Sequence, residues 1–214
     1  MHNTTRIRMK NRSLQIIILL ITFNSYCQKG HLTPSNNFEN NIGILKEYYD
    51  NVFPLLYNNF EKKPFARYTA MPSFGTEYAF SIELKDNEFI IISNTLTQNY
   101  WYAKNKENVK LISKKKAIDK TLYKKIGELF NLLSIQTKPI EEELYKTDGT
   151  TYYFATTNSN GEIKIGETWS SENKSNLGKL TEICDVLFEI GNGKENQGTE
   201  IEKEIDKLIE QLNK

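Results

Sequence analysis

The sequence predicts an α+β fold: an antiparallel β-sheet made of a meander plus a hairpin, packed by helices, with an N-terminal helix and two C-terminal helices. Three observations carry this. Apolar residues recur at helical spacing in four separate stretches. Between the first and second of these the period changes to the two-residue alternation of strands, and an Asn-Gly turn joins two further alternating runs.

At the front, Arg6, Arg8, Lys10 and Arg12 precede the apolar run Leu14 to Phe23, followed by Ser25-Tyr26-Cys27-Gln28. This is the pattern of a secretory signal peptide, expected to span residues 1–27 with cleavage after Cys27. The run is about half of what a helix needs to cross a bilayer. The alternative is a lipoprotein acylated on Cys27; Tyr26 argues against it, because lipoprotein signals place Gly, Ala or Ser there. A membrane partner is expected only if Cys27 is lipidated. The expected localisation is therefore exported: periplasmic, secreted or associated with the cell surface.

Removing the four basic side chains of the first 27 residues leaves 24 Lys and Arg against 27 Asp and Glu, a net charge of about −3. Nucleic acid is excluded as an expected partner, since phosphate binding needs a basic excess. The one basic cluster, Lys114-Lys115-Lys116, reads as a solvated turn before a helix. Residues 28–37 read as a flexible mature N-terminus, 38–190 as a single α+β domain, 191–198 as a flexible linker and 199–214 as a C-terminal amphipathic helix.

The elements follow in order. Ile42, Leu45, Tyr49, Val52 and Phe53 define a helix over 41–53, with Pro54 expected to kink or stop it. Short strands are expected at 67–71, 76–84, 88–93, 98–103 and 108–113. In the clearest, Tyr78, Phe80, Ile82 and Leu84 share one face, which places Glu77 on the other and predicts it exposed. Asp119 opens a helix whose Leu122, Ile126, Leu129, Phe130 and Leu133 form one stripe. Residues 149–157 and 162–169 make the hairpin, through Asn158-Ser159-Asn160-Gly161. A helix over 174–190 carries Leu177, Leu180, Ile183, Cys184 and Leu187, which makes Cys184 a buried thiol. Beyond it, Ile201, Ile205, Leu208 and Leu212 form a two-heptad seam, too short to stand alone and expected to dock back on the domain.

Composition argues against most familiar catalysis. After cleavage the only histidine is His31, close to the new N-terminus, so histidine-based triads, dyads and zinc sites lack their imidazole. Ser171-Glu172-Asn173-Lys174 has the Ser-x-x-Lys spacing of penicillin-binding proteins and β-lactamases. However, the Lys-Thr-Asp-Gly stretch at 146–149 precedes it instead of following it, and Asp148 interrupts the match. Ser171 or Asn173 is read instead as the cap of the next helix. No calcium loop or phosphate loop occurs, so neither metal nor cofactor is expected.

Two features point toward function. Arg67 is the only arginine after residue 12 in a lysine-rich chain, and is expected to meet a carboxylate in or near the sheet, Glu167 being the best placed. An intrachain lock is the expected use of that pair. Tyr100-Trp101-Tyr102, Tyr152 and Trp169 concentrate aromatic area on what read as strands, suited to a protein partner or to sugar rings. The sequence thus favours a non-enzymatic, protein-binding or self-associating accessory module. A carbohydrate-binding module using the sheet aromatics is the second reading, and a histidine-free hydrolase with paired carboxylates the third.

Overall fold

The computed structural model describes residues 30–35, 42–139, 148–170, 174–195 and 198–214. The expected signal peptide, Cys27, Lys146 and Thr147, and Ser171 to Asn173 lie outside the described residues. Among those described, seven strands form one antiparallel sheet and four helices pack on it. The strands are β1 (Thr33–Pro34), β2 (Ala66–Pro72), β3 (Tyr78–Lys85), β4 (Glu88–Leu96), β5 (Leu111–Ala117), β6 (Thr150–Thr157) and β7 (Ile163–Trp169). The helices are α1 (Gly43–Leu56), α2 (Lys120–Gln136), α3 (Asn176–Gly191) and α4 (Gly198–Leu212). The sheet order is β1-β7-β6-β2-β3-β4-β5, so the meander β2 to β5 and the hairpin β6–β7 meet side by side at β2.

Pairing fixes which side chains share a face. Tyr68 lies opposite Phe80 and Phe154, and Ile82 opposite Ile91; these point to the side covered by α2 and α3. Asp119 starts α2 by accepting the backbone N–H groups of Thr121 and Leu122, as its position in the sequence predicts. Gly127 lets that helix approach closely, because a Cβ there would fall 2.2 Å from the Phe65 ring. Ser175 caps α3 through the Gly178 N–H. At the far end, a Cβ on Gly191 would fall 2.0 Å from Ser93 Oγ, which donates to the Phe188 carbonyl at 2.8 Å.

Helix α4 lies against α2 and α3, with Ile201, Ile205, Leu208 and Ile209 buried in the same core cluster, and Lys125 pairs with Asp206 across the contact. The terminal heptad seam thus closes on its own chain. Cys184 is fully buried in this cluster. Among the described helices α1 is the one on the opposite face, where Val52, Phe53 and Leu56 meet Met71, Leu96 and Tyr153.

Several expectations are corrected. Residues 98–103 are a turn-rich loop: Asn99 Oδ1 accepts the Tyr102 N–H and Ala103 N–H donates to the Asn99 carbonyl, so the asparagine overrides the strand preference of its aromatic neighbours. The last meander strand lies later than expected, at Leu111–Ala117, and contains the three lysines. It is an edge strand, where lysines discourage pairing with other chains. Lys114 and Lys116 also donate to the Asn192 and Lys194 carbonyls beyond α3. Pro54 sits inside α1, which runs on to Leu56 because Val52, Phe53 and Leu56 bury one face across it. Part of the N-terminal stretch expected to be loose is fixed: β1 pairs with β7 and Leu32 is buried.

If α4 belongs to the core, Ile205→Ala will lower the midpoint of one cooperative urea transition, costing about 2–5 kcal/mol. Loss of helical signal without a shift in that transition would show α4 to be a separate unit.

Candidate functional site

The aromatic residues singled out in the sequence occupy three places. Tyr100, Trp101 and Tyr102 are in the 97–110 loop that joins β4 to β5. Tyr152 is on the helix-covered face, stacked on Tyr68 at 5.8 Å between ring centroids. Trp169 ends β7 on the α1 face, where a Cβ on Gly149 would fall 2.6 Å from its ring. The structure does not bring them together as one platform.

The 97–110 loop is held by a residue expected to be exposed. Glu77 is fully buried. Its carboxylate accepts the Tyr48 hydroxyl at 2.7 Å and the Tyr100 N–H at 3.0 Å, so it ties α1 and the loop to the sheet. The misreading has a simple cause. Alternation identifies two faces but not whether the second one is covered, and here α1 and the loop cover it. Burial and the Glu77 charge push the Tyr48 hydroxyl well above its ordinary pKa, keeping it a donor.

Outside this anchor lies an apolar surface. Trp101 is 39% exposed and meets Tyr48 edge-on at 5.2 Å, and Phe74, 69% exposed, stacks with Tyr102 at 6.2 Å. Asn99 donates to the Gly75 carbonyl at 2.5 Å, joining the two loops. Ile44 shares with Tyr48 and Trp101 a cleft of about 260 Å³ that also contains Glu47, Asn51 and Lys106. The exposed Ile42 and Leu45 flank Ile44 on α1. The Tyr48 ring is inclined by 80° to Trp101 and by 53° to Tyr100, so it is coplanar with neither.

Arg67 projects from β2 beneath the end of α1. Its guanidinium lies 4.5 Å from the Tyr57 ring centre and 5.3 Å from that of Phe60, and its Nη2 donates to the Glu61 carbonyl. The charge that acts on it is that of Glu83 on β3, whose Oε1 accepts the Glu61 N–H at 2.8 Å. Glu167 is two strands away, opposite Tyr153, whereas Arg67 is opposite Ala155. Burial lowers the Arg67 pKa and is the larger influence on it. Beside it, a cavity of about 360 Å³ runs between the sheet residues Thr69, Tyr153, Ala155, Ile163 and Ile165 and the α1-side residues Tyr49, Phe53, Pro54 and Tyr57.

The third place is under α3. Asp185 Oδ1 accepts both the Tyr68 hydroxyl at 2.9 Å and the Tyr78 hydroxyl at 2.7 Å. Burial raises the Asp185 pKa, the two tyrosine bonds oppose that shift, and Glu189 and Glu182 add to it. Asp185, Tyr78, Glu182 and Glu189 line an open cavity of about 800 Å³ with Tyr152 and Phe188. Neither Asp185 nor its tyrosines stood out in the sequence, because Tyr68 and Tyr78 fit an apolar row and Asp185 falls on a helix flank. Among the described residues, no group of three or more His, Cys, Asp or Glu is placed to hold a metal ion.

Compared with known proteins, the chain matches no family model, no curated protein and no solved structure.

Two outcomes test this geometry. Glu77→Ala leaves the Tyr48 hydroxyl and the Tyr100 N–H without their acceptor, at a cost on the order of 2–4 kcal/mol in urea unfolding. Asp185, with a folded pKa above its unfolded value near ~3.9, binds its proton more tightly when folded. Its contribution to stability therefore rises as pH falls through the folded pKa toward the unfolded one, and is unfavourable above both. Asp185→Asn is expected to raise the melting temperature at pH 7, with the gain shrinking toward pH 4.

Proposed function

We propose that this chain is an exported, non-enzymatic binding protein that recognises a protein partner through the apolar surface around Trp101. One observation carries the reading. Ile44, Leu45, Phe74, Trp101 and Tyr102 are all exposed at one end of the molecule, linked through the Tyr48–Trp101 and Phe74–Tyr102 ring contacts. Clustered exposed aromatic and aliphatic side chains mark interaction surfaces more often than scattered ones do. Tyr and Trp are also favoured as anchors of such surfaces. The buried Glu77 anchor supports it too, since it presents the loop without spending exposed residues on holding it. Export rests on the basic and apolar pattern of the first 27 residues. Among the described residues no helix is long and apolar enough to cross a membrane.

A sugar ligand is the second reading, favoured by the Trp101 cleft with Glu47, Asn51 and Lys106 at its sides. The inclined rings favour a single edge contact over a stacked chain of sugars.

A photoreactive residue at position 102 is expected to yield a discrete protein adduct in cells, which Ile44→Asp removes and which the same probe at Glu162 does not give. Relief of acrylamide quenching of Trp101 by soluble glycans, with no adduct, would select the sugar reading. Intact-mass analysis is expected to find a chain starting at Gln28; a diacylated Cys27 would select the anchored form, and an intact leader would remove export altogether.

A further inference from the structure

We infer that the cavity between α1 and the sheet is a binding site for a small amphipathic carboxylate, whose anion pairs with Arg67 and whose aryl or short alkyl body lies against the aromatic wall. The first ground is a buried cation whose hydrogen bonds are incomplete. Arg67 is 8% exposed, yet among the described residues only its Nη2 has a hydrogen bond, to the Glu61 carbonyl, and its buried Nε has no hydrogen-bond partner. Buried charges are ordinarily paired, because removal from water is otherwise costly.

The neighbouring carboxylates do not fill this role. Glu83 attracts the guanidinium, but no hydrogen bond joins the two among the described residues: its Oε1 accepts the Glu61 N–H, its buried Oε2 has no hydrogen bond, and it does not line the cavity. Asp50, at the cavity rim, pairs with Lys46.

The second ground is the cavity itself. Arg67 lines it together with Phe53, Tyr57, Tyr153 and Ile165, so one cation faces a mostly aromatic and aliphatic enclosure. Its volume of about 360 Å³ is at the small end for ligand pockets. A single guanidinium suits a monoanion. The Tyr57 and Phe60 rings hold its plane, and that planar fork matches the two oxygens of a carboxylate, which a lysine ammonium does not.

The test is isothermal titration with 3-phenylpropionate and octanoate, each against the alcohol of the same carbon skeleton. Both acids are expected to bind, each alcohol about tenfold more weakly or worse, since a charge-assisted contact is lost. Arg67→Met is expected to reduce acid binding to the level of the alcohol. Ile163→Trp, at the exposed rim, is expected to weaken acid and alcohol alike while leaving Arg67 untouched. Equal affinity for acid and alcohol, no heat from either acid at millimolar concentration, or binding indifferent to Ile163→Trp would each overturn the assignment. The comparison on the unmodified protein and the rim variant decide the question even if Arg67→Met does not fold.

Discussion

The α1 face of the sheet buries polar and charged side chains among its apolar ones, and their hydrogen bonds fasten the segments that pass over it. An unsatisfied buried polar group costs about 1–3 kcal/mol. Glu77 meets the need by gripping α1 through Tyr48 and the 97–110 loop through the Tyr100 N–H. Asn94 donates to the Leu56 and Asn58 carbonyls at the end of α1. Arg67 and Glu83 take the Glu61 carbonyl and N–H, and Tyr57 bonds Thr69 at 2.9 Å. The segment leaving α1 is therefore fastened to polar groups of the sheet by its backbone as well as by the Tyr57 and Phe60 rings.

The other face works by the opposite rule. Tyr68, Phe80, Ile82, Ile91 and Phe154 present an almost continuous apolar surface, and α2, α3 and α4 cover it in two tiers. Its polar groups are few and satisfied: Ser93 donates to the Phe188 carbonyl, and the half-buried Asp185 carboxylate accepts from tyrosines that belong to the apolar row. The sheet therefore has one side fixed by shape and one fixed by hydrogen bonding. The exposed aromatic surface and the Arg67 cavity both occur on the second side.

The sequence was most legible where one physical signal dominates. The stripe Leu122, Ile126, Leu129, Phe130 and Leu133 and the cap Asp119 locate α2 closely, and the alternation in β3 places Tyr78, Phe80 and Ile82 on the core face, although Leu84 at its end is exposed. The hairpin β6–β7 turns at a glycine with positive φ, as the Asn-Gly signal implies. Legibility failed where tertiary cover decides. Glu77 reads as exposed because nothing local reveals that α1 returns over it, and Tyr100-Trp101-Tyr102 read as a strand because aromatic content resembles strand preference. The singularity of Arg67 was visible, but its surroundings were not. Its neighbours Tyr57, Phe60 and Glu61 come from a loop whose path follows from the sheet, not from its own residues. Asp185 carried no signal, since its role exists only once α3 lies over Tyr68 and Tyr78.

The burial of Cys184 gives this molecule an internal clock. The thiol is fully enclosed by the core that joins the sheet to its helices, and burial raises its pKa well above the ordinary value. Alkylating reagents act on the thiolate and need access, so the folded form is protected on both counts. Labelling at Cys184 then proceeds only as fast as the core opens. Labelling of this one buried thiol thereby records, as an irreversible gain of mass, how often this protein comes apart.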